Sequence, residues 1–220
     1  MPPSSAKSKP QMANPPIANL LIVVSAPSGG GKTTLCQALL ESSANTVRAI
    51  TCTTRPPREG EKDGVDYYFL DAADFLRRVQ AGNFLEHATV YGNSYGTLKS
   101  EVLNKLRGGK DVLLNIDVQG AETIRAKAED DEDIRKALVT VFLAPPSMAT
   151  LEARLKKRNS DSAASIQKRL SIARHEIGHW KNFDYLIVSG TVEDDLARLT
   201  SVIAAEKMRQ FRAKLPEYGS

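Results

Sequence analysis

The sequence predicts an α/β fold in which a parallel sheet is flanked by helices and carries a smaller inserted lobe. Four short runs are rich in apolar residues and do not alternate with polar ones: Leu20–Ala26, Asp111–Asp117, Ala137–Ala144 and Tyr185–Val188. Strands of this kind are buried on both faces, which requires a mostly parallel sheet with helices above and below it. The segments between these runs have helical patterns, so the order of elements fits this class.

Capping and stop residues place the predicted helices between those strands. Asp71 can cap a helix, and Thr191, with Asp194 three residues on, has the spacing of a capping box. Gly108-Gly109 closes one helix, and Pro145-Pro146 ends the third apolar strand. The predicted helices are Thr33–Glu41, Ala72–Ala81, Leu98–Arg107, Ala121–Ala128, Ser147–Arg158, Ala163–Lys181 and a long last helix that follows Thr191.

The stretch between residues 48 and 97 has a different pattern. Runs 48–54 and 65–70 are rich in β-branched and aromatic residues, but they also contain polar ones. They therefore do not suit a sheet that is buried on both faces, and we expect them to form an inserted α+β lobe.

Composition and charge indicate an ordinary globular chain. It has 220 residues, 30 basic and 26 acidic side chains and a formal charge of +4. This mild basicity suits phosphorylated small molecules and does not argue for nucleic acid. Two cysteines, Cys36 and Cys52, are too few for a disulfide scaffold, and the longest apolar stretch, Leu20–Val24, is too short to cross a membrane.

The start of the chain is predicted to be a disordered tail over residues 1–19, because it is rich in proline and polar residues. It lacks the apolar segment of a secretion signal. We therefore expect a cytoplasmic protein without a membrane or nucleic-acid partner. A homo-oligomer is left open.

The most informative motif lies between the first apolar strand and the first helix. Its glycines allow backbone N–H groups to turn inward around phosphates, and a helix N-terminus adds partial positive charge. Lys32 is placed to reach the β- and γ-phosphates of ATP, and the Thr33 hydroxyl is placed to bind Mg²⁺. The motif predicts a P-loop NTPase-type site. The predicted ATP-binding residues are Ala26, Pro27, Ser28, Gly29, Gly30, Gly31, Lys32, Thr33 and Thr34.

A second loop carries two arginines three residues apart, Arg55 and Arg58, among prolines and a glycine. Guanidinium groups bind dianions through paired hydrogen bonds, so this loop suits a phosphorylated acceptor. Further motifs follow at 66–69 (Asp-Tyr-Tyr-Phe), 84–87 (Phe-Leu-Glu-His) and 92–97 (Gly-Asn-Ser-Tyr-Gly-Thr). Together the two loops predict an ATP- and magnesium-dependent phosphotransferase whose acceptor is a small phosphorylated molecule.

In the order and spacing of these motifs, the chain from about Leu20 to Arg209 resembles the guanylate kinase family, specifically its bacterial-type members. The resemblance implies transfer of the ATP γ-phosphate to GMP, and also to dGMP, with Mg²⁺ as the cofactor. It implies that Arg55, Arg58, Tyr67 and Tyr95 hold the GMP phosphate. It implies that Thr51, Glu86, Thr97 and Asp117 surround the guanine. The catalytic positive charges that it implies are Lys32, Arg55, Arg154, Arg158 and Arg169, the last three in a mobile lid.

The same resemblance divides the chain into parts. The expected kinase domain covers residues 20–209, with a nucleotide-binding core at 20–50, 98–153 and 183–209. The inserted GMP-binding lobe is 51–97, the short helical lid lies within 154–182, and a C-terminal tail covers 210–220.

Three places depart from the family's pattern. Thr51 stands where serine is usual and keeps the hydroxyl. Asn115 stands where aspartate is usual, which removes a negative charge near the expected magnesium. Ser189-Gly190 replaces the usual asparagine and aspartate, so no adenine contact is predicted there.

Residues 175–179, His-Glu-Ile-Gly-His, spell the HExxH pattern of zinc proteases, in which two histidines share one helical face. The chain has one other histidine, His87, so a third ligand would have to be a distant acid such as Glu193. Gly178 also weakens the helix. We therefore predict a structural helix here and no catalytic zinc.

Two rival functions share the predicted fold. One is a kinase that acts on a phosphorylated ribose, and the other is a guanylate-kinase-like binding module. Glu86 and Thr51 favour recognition of a base, and the intact Lys32 and Thr33 favour an enzyme.

Overall fold

The computed structural model describes residues 19–90, 92–157 and 163–213. In these ranges the strands are β1 Leu21–Ser25, β2 Thr46–Arg48, β3 Thr51–Thr53, β4 Tyr68–Phe69, β5 Phe84–Val90, β6 Asn93–Leu98, β7 Asp111–Asn115, β8 Leu138–Ala144 and β9 Tyr185–Val188. The helices are α1 Lys32–Ser42, α2 Ala72–Gln80, α3 Lys99–Arg107, α4 Val118–Glu129, α5 Glu132–Ala137, α6 Met148–Lys157, α7 Ala163–Gly178 and α8 Val192–Lys207, and a 3₁₀ turn covers His179–Asn182.

The main sheet has the strand order β2-β7-β1-β8-β9, and its pairs are parallel. Every residue of the central strand β1 is fully buried. Leu21 and Val23 face one hydrophobic core cluster, and Ile22 and Val24 face another on the opposite side. This double burial confirms the prediction of a parallel sheet between two layers of helices.

The second sheet has the order β4-β3-β6-β5 and is mostly antiparallel. It has a small core of its own, in which the rings of Phe75 and Phe84 stack at 4.5 Å beside Cys52. The predicted strand over 48–54 is wrong in one respect, because the chain passes between the sheets inside it. Strand β2 pairs with β7 of the main sheet, and only β3 joins the second sheet.

Several element boundaries differ from the predictions for local reasons. Helix α4 begins at Val118 because the Asp117 side chain accepts the Gly120 N–H and caps it. The short helix α5 was not predicted, because its mostly charged sequence hides the fully buried Ile134 and Ala137, and Asp131 caps it by accepting the Ile134 N–H. Helix α7 ends at Gly178, and the predicted last turn is the separate 3₁₀ turn.

The fourth apolar strand is not buried on both faces, contrary to the sequence-based expectation. Strand β9 lies at the edge of the main sheet, and its Leu186 and Val188 are 43% and 50% exposed. At the other end of the chain, Arg212 lies in the segment expected to be a tail, yet it is buried. It forms an ion pair with the buried Glu206 and donates a hydrogen bond to the Leu138 carbonyl.

Both cysteine thiols are free and buried. Burial raises the pKa of Cys36 to about 12 and that of Cys52 to about 11, so neither is a reactive thiolate. In the described parts of the chain, none of the helices combines the length and hydropathy needed to span a bilayer.

Candidate active site

The phosphate loop connects the end of β1 to the start of α1. Gly29 and Gly31 have φ values of 85° and 100°, a backbone conformation that favours glycine. The Gly30 N–H donates to the Pro27 carbonyl at 2.8 Å, which closes the turn. The loop leads directly into the N-terminus of α1, so it presents backbone amides and a helix dipole to an anion.

Lys32 is partly buried at the start of α1, and its ammonium donates to the Ala26 carbonyl at 3.2 Å. Burial lowers the pKa of this lysine, and the nearby carboxylates of Glu176 and Asp117 oppose the shift. A negatively charged ligand would further favour the charged ammonium. Lys32 therefore stands ready to pair with phosphate.

Sequence reasoning missed Glu176, which lies on α7 and contacts the phosphate loop. The Ser28 N–H donates to Glu176 Oε2 at 3.2 Å, and burial raises the pKa of this carboxyl. Glu176 was visible in the sequence only as the middle of the HExxH pattern, which pointed to a different chemistry. The contact brings the expected lid region against the predicted ATP site.

Arg154, on α6, also reaches the phosphate loop. It donates to the Gly30 carbonyl at 3.3 Å and to Ser189 Oγ at 3.2 Å. Arg154 and Ser189 border a cavity of about 330 Å³ between the loop and the start of α8. Its lining residues are Gly29, Gly31, Thr34, Leu35, Arg154, Ser189, Gly190, Val192 and Asp195.

The other two predicted lid arginines are Arg169 and Arg158. Arg169 is partly buried on α7. Arg158 lies outside the described residues. Ser189-Gly190, for which no contact was predicted, lines the same cavity as Arg154. The signal for it was its place directly after β9, at the carboxyl edge of the parallel sheet, where ligands of such sheets bind.

A second cavity of about 370 Å³ lies between the main sheet and the second sheet. It brings Thr33, from the end of the phosphate loop, into one space with Thr51, Tyr67 and Thr97 of the inserted segment. Asn115, at the end of β7, lines it as well. A residue predicted to bind ATP and residues predicted to bind the acceptor thus line the same cavity.

Next to that cavity, the Thr97 hydroxyl donates to Glu86 Oε1 at 2.7 Å, and both side chains are buried. The strand register brings them together, since Thr97 on β6 pairs with Glu86 on β5 and with Thr51 on β3. Burial raises the pKa of Glu86, while the bond from Thr97 opposes the shift and the charge of Asp117 adds to it. A buried carboxylate with free acceptor positions suits a ligand with hydrogen-bond donors.

Arg55 and Arg58, the two arginines predicted to bind a dianion, are both hydrogen-bonded to Glu61, an acid that sequence reasoning missed. The Arg55 guanidinium donates to both Glu61 oxygens, at 2.8 and 2.9 Å, and lies over the Tyr67 ring at 5.4 Å. The backbone N–H of Arg58 donates to Glu61 Oε2 at 2.7 Å and, with Arg55, lowers the pKa of Glu61. The Tyr67 ring lies 6.4 Å from that of Tyr95. The sequence signal that could have identified Glu61 is its position three residues after Arg58.

The two arginines that contact Glu61 differ in how firmly their side chains are held. The Arg55 side chain is only 13% exposed, whereas Arg58 is an exposed residue whose main chain alone is tied to Glu61. Asp117 lies farther along, where it caps α4 and influences the charges of both Lys32 and Glu86.

The residues present fit a magnesium ion that is held mainly by nucleotide phosphates and water. Thr33 and Asn115 offer oxygen atoms to the same cavity. Across residues 19–90, 92–157 and 163–213, no group of three or more His, Cys, Asp or Glu side chains is placed to hold a metal ion. Mg²⁺ in kinases usually needs only one or two protein ligands, because phosphates and water supply the rest.

A parallel sheet, a phosphate loop leading into a helix and a second cavity next to it together define a P-loop phosphotransferase. Comparison with known proteins gives the family: the guanylate kinase family model matches residues 18–206. The chain belongs to the guanylate kinase family.

Individual relatives agree over nearly the whole chain. The guanylate kinase of Coxiella burnetii is 44% identical over 190 residues, which cover 86% of this chain and 89% of that protein. That of Clostridium perfringens is 44% identical over 195 residues, covering 89% and 87%. The crystal structure of guanylate kinase from Anaplasma phagocytophilum superposes with a TM-score of 0.66 at 34% identity, covering 88% of this chain and 89% of that one.

Proposed function

We propose that this protein is a guanylate kinase that transfers the γ-phosphate of ATP to GMP, giving ADP and GDP. Membership of the family supports the reaction. The structural observation that carries the proposal is the second cavity, which joins Thr33 of the phosphate loop to Thr51, Tyr67 and Thr97 of the inserted segment. A donor nucleotide on one side and an acceptor on the other would meet there. We extend the proposal to dGMP as an acceptor.

On the donor side, the loop Ala26–Thr34 would bind the ATP phosphates through its backbone amides. Lys32 would neutralise charge on the β- and γ-phosphates, and Arg154, which already reaches the loop, would add a second positive charge. Arg158 and Arg169 are proposed to join it from the lid. Mg²⁺ would be bound by the Thr33 hydroxyl together with the phosphates, and it would supply further charge neutralisation.

On the acceptor side, Arg55, Arg58, Tyr67 and Tyr95 would hold the GMP phosphate. Glu61 keeps the Arg55 guanidinium ordered, which lowers the conformational cost of binding a dianion. The guanine would lie against Glu86, with Thr51, Thr97 and Asp117 around it. Guanine presents two adjacent donors, N1–H and the exocyclic amine, and a carboxylate offers two acceptors at a matching separation.

The chemical step needs positioning more than covalent help. An oxygen of the GMP phosphate attacks the γ-phosphorus and forms the new P–O bond, while the bond to the β-phosphate oxygen breaks and its electron pair leaves with ADP. This chain's residues hold the two phosphates in line, supply positive charge and exclude water. We propose that the lobe 51–97 and the lid region 154–182 close over the core formed by 20–50, 98–153 and 183–209.

The setting follows from the same chemistry. We infer a cytoplasmic enzyme of purine nucleotide metabolism whose partners are ATP and GMP, with no nucleic-acid or membrane partner. Two free, buried thiols suit a reducing compartment.

A coupled assay of ADP formation tests the function directly. It would compare GMP, dGMP, AMP, UMP and ribose phosphates as acceptors, with an ATP-only control. We expect fast ADP formation with GMP and only slow hydrolysis without it. Comparable rates with ribose phosphates would favour a sugar-phosphate kinase, and no turnover with any acceptor would favour a binding module; either result overturns the proposal.

A further inference from the structure

Two histidines lie side by side where α7 passes into the 3₁₀ turn. The ring centroids of His175 and His179 are 4.9 Å apart, and the planes are tilted by 57°. Gly178, between them, keeps right-handed helical angles (φ −56°, ψ −23°), so the four-residue spacing still places both rings on one side. His175 is exposed and His179 is partly exposed, so solvent reaches the pair.

The ring separation fits one metal ion held by both rings. A divalent transition metal lies about 2.1 Å from each imidazole nitrogen, hence about 3.2 Å from each ring centroid. Two rings on that metal then have centroids about 4.5 Å apart at a right angle and about 5.2 Å apart at a tetrahedral angle. The observed 4.9 Å falls between these limits.

This arrangement differs from a zinc-protease centre. The Glu176 carboxylate, which would be the general base in that mechanism, accepts the Ser28 N–H at 3.2 Å. In the part of the chain that the structure describes, no third His, Cys, Asp or Glu completes a metal-binding group with the pair. A metal here would therefore keep water at its remaining positions.

We propose that His175 and His179 form a two-imidazole binding site for a divalent transition-metal ion such as Zn²⁺, Ni²⁺ or Cu²⁺. Neutral imidazole suits these ions and does not suit Mg²⁺, so this site is separate from the magnesium that accompanies ATP. The bound ion joins the last turn of α7 to the 3₁₀ turn. His175, one of the two ligands, directly precedes Glu176, the α7 carboxylate that contacts the phosphate loop.

The chain provides its own probe for this site. Its single tryptophan, Trp180, directly follows His179 and is 39% exposed, with the Lys181 ammonium 5.9 Å from the ring centroid. Ni²⁺ and Cu²⁺ quench the fluorescence of a nearby indole, whereas Zn²⁺ does not. A titration can therefore follow Ni²⁺ binding, and added Zn²⁺ can be seen to displace it.

The experiment uses the full, untagged chain without nucleotide, titrated with Ni²⁺ while Trp180 emission is recorded. We expect saturable quenching that excess Zn²⁺ reverses, and a rise in melting temperature with Zn²⁺ because the ion binds the folded form. His175→Asn and His179→Asn should each weaken Ni²⁺ binding at least tenfold. His87→Asn is the matched control, since it removes the remaining histidine from β5, and it should leave the titration unchanged.

Circular dichroism and melting curves would show that each variant is folded. If His175→Asn or His179→Asn is quenched with the same midpoint as the parent protein, the pair does not bind the ion and the proposal fails. Loss of quenching in His87→Asn alone would locate the site elsewhere and would also overturn it. None of these readouts depends on kinase activity.

Discussion

Replacement of Glu86 by glutamine tests whether this carboxylate recognises guanine. The Thr97 hydroxyl donates to Oε1 at 2.7 Å, and a hydrogen bond from the Thr97 backbone also acts on this carboxylate; its remaining acceptor positions are available to guanine. In Glu86→Gln one oxygen remains, and the new amide N–H₂ group faces a guanine donor. Loss of one charge-assisted hydrogen bond costs about 1.5–3 kcal/mol, or about 10- to 150-fold in kcat/KM for GMP.

The assay combines steady-state kinetics at varied GMP with an ATP titration and a melting curve. We expect kcat/KM for GMP to fall at least tenfold, while ATP affinity is nearly unchanged. The melting temperature should hold or rise, because burial raises the pKa of Glu86 and glutamine removes that buried charge. This combination separates a binding role from a structural one.

Glu101 offers a matched control in the same region of the chain. Its carboxylate accepts the Ile50 N–H at 2.9 Å and the Tyr68 hydroxyl at 3.2 Å, so it holds protein groups. Glu101→Gln should lower stability and leave the preference for GMP over AMP intact. If Glu86→Gln uses GMP as well as the parent protein does, or if both variants behave alike, Glu86 does not recognise the base.

Four further results are expected. Lys32→Ala should lower turnover on the order of 10³-fold without unfolding the protein, and retention of more than a tenth of the activity would refute its role. Asn115→Asp should lower the Mg²⁺ concentration for half-maximal rate in a magnesium titration, whereas an unchanged midpoint would make Asn115 a packing residue. Glu176→Gln should lower the KM for ATP about threefold or more, by removing a negative charge beside a loop amide; an increase would mean that Glu176 positions the loop. Acidification should lower kcat/KM for GMP at a pH above the ordinary range of glutamate, because the pKa of Glu86 is raised, and Glu86→Gln should abolish this dependence.

The same raised pKa values fix the sign of a stability effect. Carboxyls whose folded pKa lies above the unfolded value favour folding most when they are protonated. The contribution of Glu86 and Glu176 is therefore present at low pH and is lost as the pH rises through their folded pKa values. A melting curve that showed the opposite trend for Glu86 relative to Glu86→Gln would contradict the burial of this group.

The sequence was sufficient where the determinants are local. The phosphate loop, its strand and its helix are contiguous, so glycine, lysine and threonine at fixed spacing predict the turn directly. Strand β1 was recognised for the same reason, because burial on both faces leaves an unbroken apolar run. The caps at Asp71 and Thr191 also depend on residues three positions apart, and both accept the predicted N–H.

The sequence was insufficient where the determinant is a partner distant in the chain. Glu176 lies 148 residues from Ser28, and no local pattern indicates that contact. Strand β9 looks like β1 in sequence, but its place at the sheet edge exposes Leu186 and Val188. The split of residues 48–54 between two sheets likewise depends on pairing with β7 and β6, which the composition of the segment does not determine.

The charged groups on the donor side and on the acceptor side of the site influence one another's pKa values. Asp117 influences the pKa of Lys32 on the donor side and those of Glu86 and Glu176, and burial is the largest cause of the shift in all three groups. Burial disfavours the charged form of each, so folding holds these charges at a cost. A phosphate would give Lys32 its counter-charge, and guanine would give Glu86 its donors, so substrate binding offsets a cost that the folded protein already carries. For this reason removal of either charge should reduce the rate of transfer without lowering the stability of the fold.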